Sequence, residues 1–162
     1  MDKIPVRLER AFAVSPEICA LIGELDAELG ANYTPEQRHA ISLDTLCAPH
    51  MRFFTAWTDA DASGCGGVAL FSDFAELKRM YVRGGARGRG IADALLARLT
   101  AEAAAAALDL LRLETGTLQA RALRFYQRHG FAVCAAYEPY ASMPPSAIAT
   151  SIFMERRIWC SR

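Results

Sequence analysis

Apolar positions recur along this chain with two periods, and the places where the period changes mark its elements. Residues 5–12 alternate apolar and polar positions and predict a first strand. Ser15-Pro16-Glu17 has the makings of a helix start: a hydroxyl N-cap, a proline in the first turn and an acid near the positive end. Ile18, Leu21, Ile22, Leu25 and Leu29 follow at helical spacing, and Gly30 fits the stop. After a short link that puts Tyr33 at a bend, Thr34 and Gln37 have capping-box spacing and predict a second helix reaching about Leu46. Residues 51–58, 66–71 and 76–82 then read as an antiparallel meander, with turns at 59–64 and at Ser72-Asp73.

The second half changes character. Ile91, Leu95, Leu96, Leu99 and Ala103 form a stripe that packs one face of a helix on a sheet. Residues 110–114 form a short buried strand, and a helix feeding such a strand makes a right-handed parallel crossover. Thr115-Gly116-Thr117 caps a helix from Leu118 to about His129, stopped by Gly130, with Ala122, Phe125 and Tyr126 on one side. A strand at 131–137, a proline-containing loop at 139–147 and a strand at 152–158 that closes the sheet complete the pattern. No repeat or linker divides it, so one domain spanning residues 1–162 is expected.

Composition narrows the function. The chain has 162 residues, 52% of them hydrophobic, with 18 Lys plus Arg balanced by 18 Asp plus Glu. Net neutrality argues against a general nucleic-acid binder. No stretch is long and apolar enough to cross a bilayer, and Asp2, Lys3 and Glu9 interrupt any leader-like start. Five scattered cysteines without a C-x-x-C pair, and three scattered histidines, predict free thiols in the cytoplasm and no metal site.

The chemistry concentrates between the third meander strand and the helix at Ile91. Arg83-Gly84-Gly85-Ala86-Arg87-Gly88-Arg89-Gly90-Ile91-Ala92 is a strand, a glycine-rich turn and a helix start in succession. Such a junction offers unpaired N–H groups and a positive helix end to an anion. It is neither G-x-G-x-x-G nor a Walker loop, because Asp93 follows Gly90 at the third position and no Gly-Lys-Ser/Thr ends it. It does match Arg/Gln-x-x-Gly-x-Gly/Ala. That motif, with Phe125-Tyr126-Gln127-Arg128-His129-Gly130-Phe131 downstream, resembles the GCN5-related N-acetyltransferases (GNAT), as does the order of elements. A pair at Gly84-Gly85, where many relatives place a proline, is a departure.

The resemblance implies a mixed α/β (α+β) fold: a mostly antiparallel, twisted sheet, splayed between strands 4 and 5, with about four flanking helices. It implies acetyl-coenzyme A (acetyl-CoA) as cosubstrate, without a metal. Its diphosphate would lie on Arg87, Gly88, Arg89, Gly90, Ile91 and Ala92, its pantetheine along Met80, Tyr81 and Val82. Gln119, Tyr126 and Arg128 would complete that site. Tyr126 is expected beside the sulfur as acid or positioning group. Glu76 is the first candidate for the base and Glu114 the second, each with a structural carboxylate as the alternative. Tyr33, Phe54, Tyr137 and Tyr140 are the aromatic candidates for the acceptor pocket. The acceptor is expected to be a primary amine on a small molecule or peptide, not a nucleic acid or membrane, and a homodimer stays open. Two other readings are an RNA-binding module using the Arg83 to Arg89 loop, and an inactive acyl-CoA sensor.

Overall fold

In a computed structural model, residues 4–158 of the chain are described; Asp2, Lys3 and Cys160 lie outside them. The strands are β1 (Arg7–Arg10), β2 (Met51–Thr58), β3 (Asp61–Leu70), β4 (Ala75–Val82), β5 (Leu110–Gly116), β6 (Ala132–Cys134) and β7 (Ser151–Arg157). The α-helices are α1 (Pro16–Gly30), α2 (Pro35–Arg38), α3 (Ile91–Ala105), α4 (Ala120–Arg128) and α5 (Pro145–Ile148). One sheet takes all seven strands in the order β1-β2-β3-β4-β5-β7-β6. Its pairs are antiparallel except β4 with β5.

The two long helices cover opposite faces, as the alternation of neighbouring Phe53 and Phe54 on β2 requires. The Ser15 hydroxyl accepts from the Ile18 amide at 3.2 Å, and Ile18, Leu21, Ile22 and Leu25 of α1 pack with Phe53, Cys65 and Tyr81. On the other face, Ile91, Leu95, Leu96, Leu99 and Ala103 of α3 pack with Phe54, Val68, Leu77, Leu111 and Met154. Each fully buried leucine there contributes about 1.5–3 kcal/mol.

Two irregularities of β4 position the site. Its pairing to β5 consists of Ala75 with Leu111 and Glu76 with Arg112; beyond Glu76 the two strands part. This is the expected splay, and it leaves one edge of β4 open past that point. On its other edge, Cys65 pairs with Tyr81 but Gly67 with Lys78, so β4 carries one extra residue there. The bulge centres on Arg79, which takes φ 56°, a left-handed conformation costly for a residue with a Cβ. Such bulges bend a strand and re-aim its neighbours.

Several boundaries differ from the sequence reading. The second helix is only α2, because His39 turns left-handed at φ 47° and its ring bonds the Ala147 carbonyl at 2.7 Å. The capping contact itself is present, with the Thr34 amide donating to Gln37 Oε1 at 2.9 Å. β3 starts at Asp61, since Asp59 at φ 54° reverses the chain sharply enough for Asp61 to pair with Thr58. Gln119, not residues 115–117, caps α4, and Thr115-Gly116 extend β5. β7 does not close the sheet: it lies between β5 and β6, burying Phe153 on one face and Met154 on the other, while Val133 of β6 is exposed. Among the described residues five α-helices stand where about four were expected, the extra one being the single turn α5 within the expected loop.

Candidate active site

β4 leads through a 3₁₀ turn at Gly84–Ala86 into two glycines with positive φ, Gly88 at 80° and Gly90 at 86°. Gly90 is the N-cap of α3, and only glycine adopts this conformation without a Cβ penalty. The backbone N–H groups of Gly88, Arg89, Gly90, Ile91 and Ala92 find no acceptor among the described residues, whereas Ala94 already donates to Gly90 at 3.0 Å. Five free donors at the positive end of a 15-residue helix suit a diphosphate.

These amides open onto a groove of about 650 Å³. All of the residues expected to hold the coenzyme line it: Met80, Tyr81, Val82, Arg87, Gly88, Arg89, Gly90, Ile91, Ala92, Gln119, Tyr126 and Arg128. Four arginines (87, 89, 121 and 128) face two carboxylates, Glu28 and Asp93, and Asp93 lies 2.7 Å from His129. Arg121 escaped the sequence reading, although its helical spacing to Phe125 and Arg128 placed all three on one side of α4.

The basic residues of the turn are mostly tied down. Arg83 donates to both Glu24 oxygens, at 3.1 and 2.8 Å, and to the Ala62 carbonyl at 2.8 Å. Arg87 donates to the Val82 carbonyl at 3.0 Å and to Glu28 at 3.0 Å. Arg79 pairs with Asp26 at 2.7 Å. Three acids of α1 thus strap β4 and the turn to the helix. Arg83 and Arg87 are therefore parts of the scaffold rather than a free basic arm, and the RNA-binding reading finds no support. Arg89 and Arg128 stay exposed, the latter with its guanidinium 5.7 Å above the Phe125 ring.

A second, smaller cavity of about 150 Å³ opens in the gap between β4 and β5. It shares Leu25, Met80, Gln119, Ala122 and Tyr126 with the groove, so those residues stand at the junction of the two spaces. Tyr126 is buried, and burial pushes its hydroxyl above the ordinary phenol range, so it stays protonated at any physiological pH.

The two candidate bases have different surroundings. Glu76 is 2% exposed, accepts the Tyr137 hydroxyl at 2.5 Å and pairs with Lys78 Nζ at 2.9 Å. Lys78 in turn donates to the Tyr140 hydroxyl at 2.6 Å. Glu76 lies outside the lining of either cavity, whereas Glu114 lines the smaller one. Burial raises the Glu114 pKa above the usual glutamate range; Ser151, His39 and Lys78 pull it back, and Glu76 pushes it further up. A desolvated carboxylate facing the pocket is a better proton acceptor than one already bonded to a lysine and a tyrosine.

Of the four aromatic candidates, Tyr33 and Tyr140 line the small cavity. The Tyr33 hydroxyl also accepts the Leu118 amide at 2.8 Å, which pins the α1–α2 link to the start of α4. Phe54 does not line it: it is 1% exposed in the core beneath α3, under the Arg98 guanidinium, on the sheet face away from α1. Tyr137 also stands outside the lining, packed edge-on against Tyr140. The pocket contains Arg38 and His39, which a second helix running to about Leu46 leaves no loop to present, and Lys78 of β4.

Comparison with known proteins agrees with this geometry. Residues 49–133 match the family described as "Acetyltransferase (GNAT) domain". The "IAA acetyltransferase" of Azospirillum brasilense is 38% identical over 153 residues, 93% of this chain and 97% of that protein. The PaiA N-acetyltransferase of Thermoplasma acidophilum, solved in complex with coenzyme A, superposes with a TM-score of 0.73 at 15% identity, covering 96% of this chain and all of the other. An "IAA acetyltransferase" structure from Bacillus cereus gives 0.66 at 18%, covering 95% and 100%. Free amides at a helix start, a splayed sheet and these likenesses lead to one conclusion: this chain belongs to the GNAT acetyltransferase family and draws its acetyl group from acetyl-CoA.

Proposed function

We propose that the chain transfers the acetyl group to the free primary amine of a small molecule or peptide by direct attack, with both substrates bound at once. The observation that carries this reading is the meeting of the two cavities at Tyr126, one lined by free amides and the other by Glu114. A direct reaction needs both reactants within contact of each other, and a continuous space with a different recognition surface at each end provides that.

When bound, acetyl-CoA supplies an activated thioester carbonyl. The protein's own groups do the rest. The amides of residues 88–92 hold the diphosphate, and the open edge of β4 beyond Glu76 receives the pantetheine as an added strand would. An alkylamine of pKa near 10.4 costs about 4–5 kcal/mol to deprotonate at pH 7. Glu114 takes that proton, directly or through a water. The amine nitrogen then bonds to the carbonyl carbon, the carbon–sulfur bond breaks, and the second nitrogen proton passes through water to the departing thiolate, giving the amide and the free thiol. A backbone N–H in the bulged segment from Met80 to Val82 steadies the oxygen. Tyr126 orients the sulfur and donates a hydrogen bond to the departing thiolate. Full proton transfer from a phenol above pKa 10 to a thiolate near 8.5 runs uphill by at least about 2 kcal/mol, which favours the hydrogen-bonding role.

No described helix is long and apolar enough to cross a membrane. We assign the reaction to the cytoplasm on the free thiols of Cys19, Cys47, Cys65 and Cys134. Thermal stabilisation by acetyl-CoA, followed by thiol release against a panel of amines, tests the proposal. Stabilisation with amine-dependent thiol release is expected; stabilisation without turnover on any amine would instead favour a sensor.

A further inference from the structure

The smaller cavity has a charge balance that a simple amine acceptor would not ask for. Arg38, Lys78 and Arg79 line it with Glu114 as the one lining carboxylate; Glu76 and Asp26 neutralise Lys78 and Arg79 from outside the lining, and Arg38 keeps its charge unpaired among the described residues. An ammonium held by electrostatics alone prefers the opposite balance. Lys78 is committed to Glu76 and Tyr140. The two arginines are not satisfied in the same way.

Arg79 has a side chain only 6% exposed and gives one nitrogen to Asp26 at 2.7 Å, yet its Nε has no hydrogen-bond partner. A buried N–H without an acceptor is rare in folded proteins and asks for an explanation. It belongs to a residue that lines the pocket and is held at φ 56° in the β4 bulge, with the Nε itself enclosed by protein. Arg38, at the end of α2, forms no ion pair among the described residues; its Nη1 has only the Asp26 carbonyl, at 3.4 Å. Both guanidiniums lean on Asp26 and both border the same space. A planar carboxylate answers the unpaired Arg38 guanidinium better than a neutral group does.

We infer that this pocket reads a carboxylate as well as an amine, so that the acceptor is a free α-amino acid or a close analogue. Arg38 takes the carboxylate, with Arg79 behind it through their shared partner Asp26, and Glu114 faces the amine. Leu29, Ile41 and Leu113 supply the rest of the wall and favour an apolar side chain. A volume of about 150 Å³ suits a molecule of this size. The inference rests on the acetyl-transfer reading of the same site and adds the acceptor's class to it.

The test compares matched acceptors on the wild-type chain at saturating acetyl-CoA: leucine, leucine methyl ester and isopentylamine, and the corresponding phenylalanine set. Thiol release is followed, with thermal shift by acetyl-CoA as a separate reading. The free amino acids are expected to have the highest kcat/KM once each rate is corrected for its fraction of free amine. Arg38→Met is expected to raise the amino-acid KM about ten- to a hundredfold and the isopentylamine KM by far less, with the acetyl-CoA shift unchanged. Preference for the ester or the plain amine, or an unchanged KM in Arg38→Met, overturns the inference. Turnover of neither class with the acetyl-CoA shift intact also overturns it and leaves the coenzyme site standing. Loss of the shift in the wild-type chain removes the acetyl-transfer reading itself.

Discussion

The Tyr137 hydroxyl donates to Glu76 Oε2 at 2.5 Å, in a site where Glu76 is 2% exposed and its other oxygen faces Lys78 at 2.9 Å. That relationship makes Glu76 a structural anchor between β4 and the segment after β6. Glu76→Gln should leave the Lys78 charge buried without its partner and cost roughly 3–5 kcal/mol. A thermal melt is expected to fall by roughly 10 °C. A melt within a degree or two of wild type would return Glu76 to the list of candidate bases.

Glu114→Gln should leave the fold and acetyl-CoA binding intact and lower kcat/KM by about 10²–10⁴. The wild-type acidic limb of kcat/KM should lie above the ordinary glutamate range, because burial raises the Glu114 pKa and only the ionised form accepts a proton. Stability follows the same shift with a definite sign. A group whose folded pKa is raised stabilises below its unfolded value, near 4.5, and loses that contribution as pH climbs through the folded value. Glu114→Gln should therefore melt no lower than wild type at pH 7–8. Chemical denaturation across pH 4–8 together with the pH–rate profile checks both halves.

Tyr126→Phe should reduce kcat by about tenfold or more while changing the acetyl-CoA shift little. On the proposed mechanism the hydroxyl, at the junction of the cavities, acts on the departing sulfur and not on the diphosphate. Equal turnover in the two proteins would remove Tyr126 from the chemistry.

Gly90→Val should abolish stabilisation by acetyl-CoA. A β-branched residue at φ 86° is strained by roughly 1–3 kcal/mol, and relaxing that strain re-aims the amides at the start of α3. Calorimetric titration would read the loss directly. Arg89→Glu, on an exposed side chain, should weaken binding modestly and make it less salt-sensitive.

Gly116→Ala should be disproportionately harmful for a one-carbon change. A Cβ there would collide with the ring and hydroxyl of Tyr33, which is held by the Leu118 amide. About 1–3 kcal/mol of stability should go, with a raised acceptor KM, because Tyr33 is part of the pocket wall. Normal kinetics in Gly116→Ala would place Tyr33 outside the working pocket.

Much of this architecture was legible in the residue pattern because the informative signals are local. The stripe Ile91, Leu95, Leu99, Ala103 is a property of one helix, and Ser15-Pro16 of one cap; both stand where they were expected. The glycines before α3 were likewise readable, since a positive φ leaves few alternatives to glycine. The second helix was overdrawn because what ends it is remote: His39 is captured by a carbonyl 108 residues away.

The order of the two glutamates could not be read the same way. Both sit on strands near the splay, and nothing in their neighbours along the chain separates them. The amino-acid pattern by itself determined the helical stripes, the glycine turn and hence the anion-holding helix start, since these depend on contacts within a few residues. Only the tertiary structure decided that Tyr137 would join Lys78 on Glu76 and leave Glu114 facing the cavity. It also decided that α1 would claim Arg83 and Arg87, and that β7 would run inside the sheet. The Tyr137, Arg83 and Arg87 contacts join groups 59 or 61 residues apart, where charge pairing and burial choose among partners that the local pattern treats alike.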